Sequence, residues 1–238
     1  MKALKPRASL TDETYRAIRD SILDGSLAEG AHIVQEQIAR DLEVSRQPVQ
    51  QAMTLLKREG LLVELGRRGL FVAPLDARAI AQHYEIRAAL DALAARLAAA
   101  LVASSGSRDL GAEIAAQGAA IVTAGLQAIA RGSIADMVRQ DVAFHHFIYE
   151  ASGNPLIAGT ADKHWQFLRR VMAEVLRKAA PPPTVWQQHQ DVLAAIAGGK
   201  AELAAQLAAA HVQSACSRLT QVLGNKQTGS ATHDERAS

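Results

Sequence analysis

Acidic and histidine side chains recur on the apolar faces of helices predicted for the second half of the chain. Asp141 and His145 lie one helical turn apart within an apolar stripe. His189 shares its stripe with aliphatic residues three, four and seven positions further on, and His211 follows two leucines at steps of four. The spacing predicts that one carboxylate and three imidazoles point into a common interior.

A divalent transition metal ion is the simplest partner for such a group. A buried carboxylate needs a partner, and neutral imidazoles with a carboxylate suit Zn²⁺, Ni²⁺, Mn²⁺ or Fe²⁺, of which we favour Zn²⁺. Coordination positions left open would take water or a ligand. Two alternatives stay open: each histidine is a hydrogen-bonded core residue, or Asp141 and His145 simply bond each other.

Two further histidines and one arginine complete the set of candidates. His164 lies on an aliphatic stripe and is a rival ligand or a group behind the ligands, whereas His146 lies off the stripe and is structural or exposed. Arg87 shares a helical face with Tyr84 and Asp91. It either pairs with Asp91 four residues on or holds the carboxylate of a small acid, and an incoming acid could exchange one state for the other.

The elements that must position these side chains are almost all helices. Residues rich in Ala and Leu follow Pro74, and Gly, Ser and Pro clusters interrupt them at short intervals. Short connections favour an antiparallel bundle. We predict about six helices, at residues 77–103, 108–131, 134–151, 155–179, 184–197 and 200–223.

The first third of the chain has a different pattern. Ser45 is a good N-cap and Gly60 a good stop for a helix whose inner face is apolar. Its outer face carries side chains able to read base edges or phosphates, although a merely solvated face is the competing interpretation. These outer residues are Arg46, Gln47, Gln50, Thr54 and Lys57.

The neighbours of this helix favour the DNA interpretation. A helix capped by Thr11 and ending near Asp24, a second helix at residues 34–42 and a tight turn precede it, which is a helix-turn-helix pattern. After Gly60, two short apolar runs flank the turn at residues 66–69, which predicts a two-stranded hairpin. Arg67 and Arg68 at its tip would approach the phosphate backbone or the minor groove.

Composition sets the broad class. The 238 residues carry a formal net charge of only +2, so the distribution of charge matters more than its sum. Residues 45–72 hold five basic residues against two acidic ones. Cys216 is the only cysteine, which excludes an intrachain disulfide and fits a reducing cytoplasm. We expect no signal peptide and no uncharged apolar stretch approaching membrane-spanning length.

These patterns predict two domains between two tails. Residues 1–9 would form a flexible tail, 10–74 a winged helix-turn-helix, 75–224 an all-helical domain, and 225–238 a polar, disordered tail. The fold class is therefore mainly α, with three helices and a hairpin wing followed by the bundle.

Residues 11–73 resemble the winged helix-turn-helix of GntR-family bacterial transcription regulators. The likeness lies in Ile38-Ala39, Val44-Ser45-Arg46-x-Pro48-Val49, Glu59-Gly60-Leu61 and Gly69-x-Phe71-Val72. Where the family commonly has Arg-Glu after Pro-Val, this chain has Gln50-Gln51, which would shift base preference from guanine towards adenine. The resemblance and the outer stripe together imply a DNA-contacting set of Arg40, Ser45, Arg46, Gln47, Gln50, Lys57, Arg67, Arg68 and Gly69.

Residues 77–222 resemble the FCD effector-binding domain of the FadR-like branch of the same family. The likeness rests on Tyr84-Glu85-Ile86-Arg87, Asp141-x-x-x-His145, Ala151-Ser152-Gly153-Asn154-Pro155, His189 and His211. It implies a metal held by Asp141, His145, His189 and His211 and a small carboxylate completing its coordination. Arg87 and Asn154 are the implied effector-binding residues.

The resulting hypothesis is a homodimeric regulator that binds a pseudo-palindromic operator in double-stranded DNA and responds to a small carboxylate. Ligand-induced change in the bundle would pass through the short linker at Pro74. One rival is a metal-dependent hydrolase or lyase with a DNA-binding appendage, because three His, one Asp and an open position could activate water. Another is a purely structural metal with protein partners.

Overall fold

The computed structural model describes residues 9–106, 108–181 and 184–229, with side chains described except at 108 and 224–229. The chain divides into two compact units between Leu75 and Asp76. The tail at residues 1–8 and the end at 230–238 lie outside the described residues. The first unit contains α1 (Leu10–Leu23), β1 (His32–Ile33), α2 (Gln35–Asp41), α3 (Arg46–Arg58), β2 (Leu62–Glu64) and β3 (Leu70–Val72).

Helix α1 begins earlier than the sequence pattern predicts. Ser9, not Thr11, is the N-cap: its hydroxyl accepts from the backbone N–H of Asp12, and the Asp12 carboxylate accepts from the N–H of Ser9. The predicted cap at Thr11 is wrong because this reciprocal pair satisfies two backbone donors at an earlier position. The Thr11 hydroxyl instead lies 2.6 Å from Oε1 of Gln51 on α3.

Helices α2 and α3 form the helix-turn-helix. Glu43 lies in the left-handed backbone region (φ 53°) between them and reverses the chain within a short turn. Ser45 occupies the N-cap position of α3, although its hydroxyl makes no side-chain capping bond. Val49, Ala52 and Leu56 are fully buried on the inner face, which leaves the opposite face of α3 to solvent.

The wing is part of a three-stranded sheet. Strands β2 and β3 form the predicted antiparallel hairpin around the turn at 66–69, with Val63 opposite Phe71. Strand β1 pairs with the other edge of β3, so that the strand order is β1-β3-β2. The sequence pattern predicts only a loop at β1, because two residues are too few to show the period-2 alternation of a strand.

The second unit is a bundle of six helices, as predicted. Their contacts give each helix at least two neighbours, with α4 and α9 packed most extensively together. The helices are α4 (Ala77–Ser104), α5 (Arg108–Ala130), α6 (Ile134–Ala151), α7 (Pro155–Lys178), α8 (Thr184–Ala197) and α9 (Ala201–Gly229). Helix α9 continues through residues 225–229, so the prediction of a disordered tail starting at 225 is wrong for those five residues.

Glycines spaced seven residues apart bring α5 against α8. A Cβ on Gly111 would meet the carbonyl oxygen of Ala197 at 2.5 Å, and one on Gly118 would meet Leu193 at 2.5 Å. A Cβ on Gly125 would overlap the ring of Trp186 at 2.0 Å. Each glycine removes a side chain where the partner helix needs the space, which outweighs its cost of about 1 kcal/mol in helix propensity.

Helix α5 also corrects one prediction from the sequence. Asp109–Ala130 is long and apolar enough to cross a membrane by length and composition, contrary to the expectation that no such stretch exists. Its alanines and glycines pack against α6 and α8 within the bundle. Only 28% of its most apolar window is buried among the described residues, so this packing covers part of the helix and leaves the rest exposed.

Candidate metal centre and nucleic-acid interface

Asp141, His145, His189 and His211 meet inside the bundle. Helix α6 supplies the first two, and α8 and α9 supply one histidine each. One ligand atom from each residue lies within 4.8 Å of all the others, and all four side chains are buried. Bonds of about 2.0–2.2 Å would place ligand atoms up to about 4.4 Å apart across an ion, so the group needs only a small contraction to hold one.

The tautomer of His145 follows from its partners. Its Nδ1 lies 2.9 Å from Oδ2 of Asp91, which as a carboxylate accepts a proton donor. Its Nε2 lies 2.6 Å from Nη2 of Arg87, which only donates. His145 therefore carries its proton on Nδ1, and its Nε2 lone pair accepts from Arg87, so a metal that binds Nε2 would replace this hydrogen bond.

His211 is oriented in the same way by a different residue. Its Nδ1 donates to Oε1 of Gln188, 3.0 Å away, which leaves Nε2 as the lone-pair atom. Nε2 of His189 lies 3.1 Å from that atom and 3.5 Å from Oδ1 of Asp141. The three side chains thus turn ring nitrogens and a carboxylate oxygen towards one another. A cation or a proton shared between these atoms would stabilise the arrangement.

Aromatic packing holds His189, in addition to the contact of its Nε2 with His211. Its ring stacks on Phe144 with centroids 4.2 Å apart and meets the edge of Trp186 at 4.8 Å. Its Nδ1 is buried and finds no hydrogen-bond partner within the described residues. A buried polar atom without a partner is costly, so His189 is fixed by shape at some expense to stability.

Burial sets the protonation of the group. It lowers the pKa values of His145, His189 and His211 well below the ordinary value, and neighbouring cationic groups add to the effect. Burial also raises the pKa of Asp141 to about 6, against the opposing influence of Arg87 and Arg218. At neutral pH the imidazoles are neutral and Asp141 is mostly ionised, which are the forms that bind a metal.

Arg87 lies beside this group in a fully buried position. Its Nε is 3.4 Å from Asp91 and its Nη2 3.8 Å from Asp141, and the guanidinium stacks 4.2 Å above the ring of Trp165. Burial alone would lower its pKa, but the carboxylates reverse the effect and hold the pKa above its ordinary value. The sequence leaves two interpretations of Arg87, pairing with Asp91 or binding a small acid, and the structure contains the Arg87–Asp91 pair.

A cavity of about 60 Å³ opens beside the four-residue group. Asp141 and His211 contribute to its wall, together with Arg87, Tyr84 and Arg218. The remaining wall is mostly aliphatic and aromatic, from α5 to α9. The volume accommodates about four to six water molecules, or a small organic molecule of comparable size.

The structure separates His164, His146 and Asn154 from this site. Nδ1 of His164 faces Nδ1 of His83 at 3.0 Å, so His164 is neither a ligand of the group nor a hydrogen-bond partner of a ligand. His146 is half-buried, with Nε2 3.5 Å from Asp162. Asn154, expected to bind effector, instead caps α7 by accepting from the N–H of Leu156, and it does not line the cavity.

Sequence reasoning misses Gln188 and Arg218. Arg218 lies seven residues after His211, two turns along one helical face, and that spacing could identify it. Gln188 adjoins His189 in the sequence, and only the position of α9 shows that it supports His211. The sequence pairs Asp91 with Arg87, but it does not show that Oδ2 of Asp91 also lies 2.9 Å from Nδ1 of His145.

The second candidate site is the exposed face of α3 with the wing. Arg40, Ser45, Arg46, Gln47, Gln50 and Lys57 are exposed, as are Arg67 and Arg68 at the wing tip. Three of these side chains hold polar partners: Arg46 pairs with Glu36 at 2.7 Å, Lys57 with Glu64 at 2.8 Å, and Arg40 donates to Gln37. Exposed ion pairs are worth about 0–1 kcal/mol, so phosphates or bases can replace the acidic partners.

Gly69 has a structural reason of its own. Its φ of 99° suits glycine, and a Cβ there would lie 2.8 Å from Nε2 of His32. The His32 ring in turn lies 4.9 Å from Phe71, the residue opposite it on β3. Gly69 therefore shapes the wing, whatever contact its backbone makes with DNA.

These features define a bacterial transcription regulator, and comparison with known proteins identifies the family. Residues 10–72 match the model for bacterial regulatory proteins of the gntR family, and residues 82–214 match the FCD domain. The chain belongs to the GntR family and carries an FCD domain. It is a DNA-binding transcription regulator and not an enzyme, so the hydrolase alternative is set aside.

Relatives agree with this assignment. The HTH-type transcriptional repressor RspR of Escherichia coli is 25% identical over 193 residues, which is 81% of each chain. The solved structure of E. coli McbR/YncC has a TM-score of 0.70 at 20% identity, covering 90% of this chain and 99% of that one. A protein described as a GntR regulator from Rhodococcus sp. RHA1 has a TM-score of 0.69 at 23% identity, covering 90% and 97%. At these identities the two structures support the fold alone.

Proposed function

We propose that this regulator responds to a small carboxylate that binds at a metal centre in the FCD domain. Asp141, His145, His189 and His211 would hold one divalent ion, with Zn²⁺ favoured over Ni²⁺, Mn²⁺ and Fe²⁺. The bound ion would supply a Lewis-acidic position for one carboxylate group of the effector. The single observation carrying this proposal is the convergence of four buried ligand atoms beside a cavity.

The support comes from the donor set and its orientation. Two of the three histidines turn Nδ1 towards an acidic or amide oxygen: His211 donates to Gln188, and Nδ1 of His145 lies 2.9 Å from Oδ2 of Asp91. That arrangement fixes the tautomer that metal-binding histidines require, and a merely hydrogen-bonded core would not need it. The proximity of Arg87 adds a permanent positive charge on the side from which an acid would approach.

On the DNA side, the proposed contacts are those of α3 and the wing. Arg46, Gln47 and Gln50 at the start of α3 would read base edges in the major groove. Lys57 and Arg40 would meet phosphates, and Arg67 and Arg68 the backbone or minor groove. A homodimer acting in the cytoplasm would place two such units on a pseudo-palindromic operator.

The test begins with the operator and ends with the effector. Full-length protein loaded with Zn²⁺ selects its site from a random double-stranded library, and fluorescence anisotropy then measures its affinity with and without a panel of small carboxylates. We expect at least one acid to raise the melting temperature and to change operator affinity by about fivefold or more, a coupling typical of allosteric regulators. If acids leave both quantities unchanged, the metal is structural and the sensing proposal fails.

A further inference from the structure

Arg218 on α9 differs from Arg87, the fully buried cation of the site. Arg87 lies within 4 Å of two carboxylates, those of Asp91 and Asp141. Arg218 lines the same cavity, yet no carboxylate lies within ion-pair distance of it among the described residues. Burial lowers its pKa, and the more distant influence of Tyr84 and Asp141 does not offset the loss of solvent. A half-buried guanidinium that faces a cavity without an ion-pair partner is therefore available to a ligand.

The balance of charge around the cavity indicates how many negative charges the ligand carries. Arg87, Arg218 and Asp141 line the cavity, and Asp91, which does not line it, pairs with Arg87, so these four side chains together are neutral. A divalent ion would add two positive charges. Uncompensated charge is costly in a site that solvent hardly reaches, so a dianion restores neutrality while a monoanion leaves one charge unmatched.

The two anchoring positions lie in the wall of one cavity. Asp141 and His211, which belong to the proposed metal centre, lie in its wall, and Arg218 joins the same wall seven residues after His211 on α9. The rest of the wall is largely apolar, with Met137, Trp186 and Leu219 among its residues. Such a wall suits a short hydrocarbon segment with an anionic group at each end.

We propose that the effector is a short dicarboxylate, with one carboxylate at the metal centre and the other held by the Arg218 guanidinium. This inference rests on the proposed function and narrows it to a ligand class. A guanidinium binds a carboxylate through two parallel hydrogen bonds, which makes the side chain a determinant of specificity as well as of affinity.

Calorimetric titration of Zn²⁺-loaded, full-length protein tests this assignment. Malonate, succinate and glutarate are compared with propionate, butyrate and valerate, which lack the second carboxylate. We expect the best dicarboxylate to bind about tenfold more tightly, or better, than its monocarboxylate counterpart. Replacing Arg218→Gln should weaken dicarboxylate binding by about 10- to 100-fold and leave monocarboxylate binding unchanged, because only the second anchor is lost.

Arg96→Gln is the matched control, since Arg96 is exposed on α4 and its replacement removes the same charge from the protein. Its affinities should equal those of the wild type. Zinc stoichiometry and melting temperature of Arg218→Gln, measured alongside, should stay at wild-type values because Arg218 is not a candidate ligand. An unchanged preference for dicarboxylates in Arg218→Gln overturns the inference. Monocarboxylate binding without any preference overturns it too and spares the proposed function, whereas no binding of any acid overturns both.

Discussion

Gln188 offers the sharpest test of how the metal centre is built. Its side-chain oxygen accepts from Nδ1 of His211 at 3.0 Å, and Gln188 is not itself a candidate ligand. Replacing it with methionine keeps the length of the side chain and removes the acceptor. We expect Gln188→Met to leave the fold intact and to weaken Zn²⁺ binding.

The magnitude follows from the difference between the free and the metal-bound imidazole. A neutral hydrogen bond contributes about 0.5–1.5 kcal/mol, and one from a charged donor about 1.5–3 kcal/mol. Metal binding draws electron density from the ring and makes the N–H a stronger donor, so the bond to Gln188 gains strength when the ion binds. Loss of such partners typically costs about 10- to 100-fold in metal affinity, or about 1.4–2.7 kcal/mol.

The assay is competition with a fluorescent zinc chelator at about pH 7.5, where the three imidazoles are neutral. Gln188→Glu, which keeps an oxygen acceptor in place, should retain wild-type affinity or exceed it. Gln187→Met is the control, because Gln187 is exposed on the same helix and donates to Asp191. Affinity of Gln188→Met within twofold of wild type, or an equal loss in Gln187→Met, would refute the reasoning.

Three further predictions concern pH, packing and DNA. Because the pKa of Asp141 is about 6 and metal needs the ionised form, zinc affinity measured by chelator competition should be flat above about pH 7 and fall about tenfold per pH unit below 6. Gly125→Ala places a Cβ in the space of Trp186, which packs on a proposed metal ligand, so chemical denaturation should show a loss of about 1–3 kcal/mol in the free energy of unfolding. Gly159→Ala, with open space around it, should show no such loss. Arg46→Ala and Gln50→Ala should weaken binding to the selected operator more than to random DNA in anisotropy titrations, and equal losses would make them backbone contacts.

The helical elements are predictable from the sequence because their signals are local. Stripes at helical spacing and breaks at Gly, Ser and Pro place five of the bundle helices within one residue of their observed ends, while α9 continues six residues beyond its predicted end. One error has a local cause and the other a long-range cause. Ser9 competes with Thr11 for the same cap, and β1 is defined by its pairing with β3, which no short stretch of sequence reveals.

In the candidate site, too, the sequence reveals residues with local signals and misses relations that depend on tertiary packing. Asp141 and the three histidines stand out in the sequence because polar residues on apolar stripes are uncommon and must find partners inside. Gln188 gives no such signal, since a glutamine next to a buried histidine is ordinary on a helix. The pairing of His83 with His164 depends on how α4 and α7 lie against each other. That relation is tertiary, so periodicity along the chain does not reveal it.

Isothermal titration of metal-stripped, full-length protein with Zn²⁺ tests the central claim most directly. Wild type should bind one ion per chain, and His189→Gln, which removes one ligand and keeps the approximate size of the side chain, should bind about 100-fold more weakly or worse. Zinc uptake of zero, or equal affinity in wild type and His189→Gln, would contradict a metal centre at this group of residues.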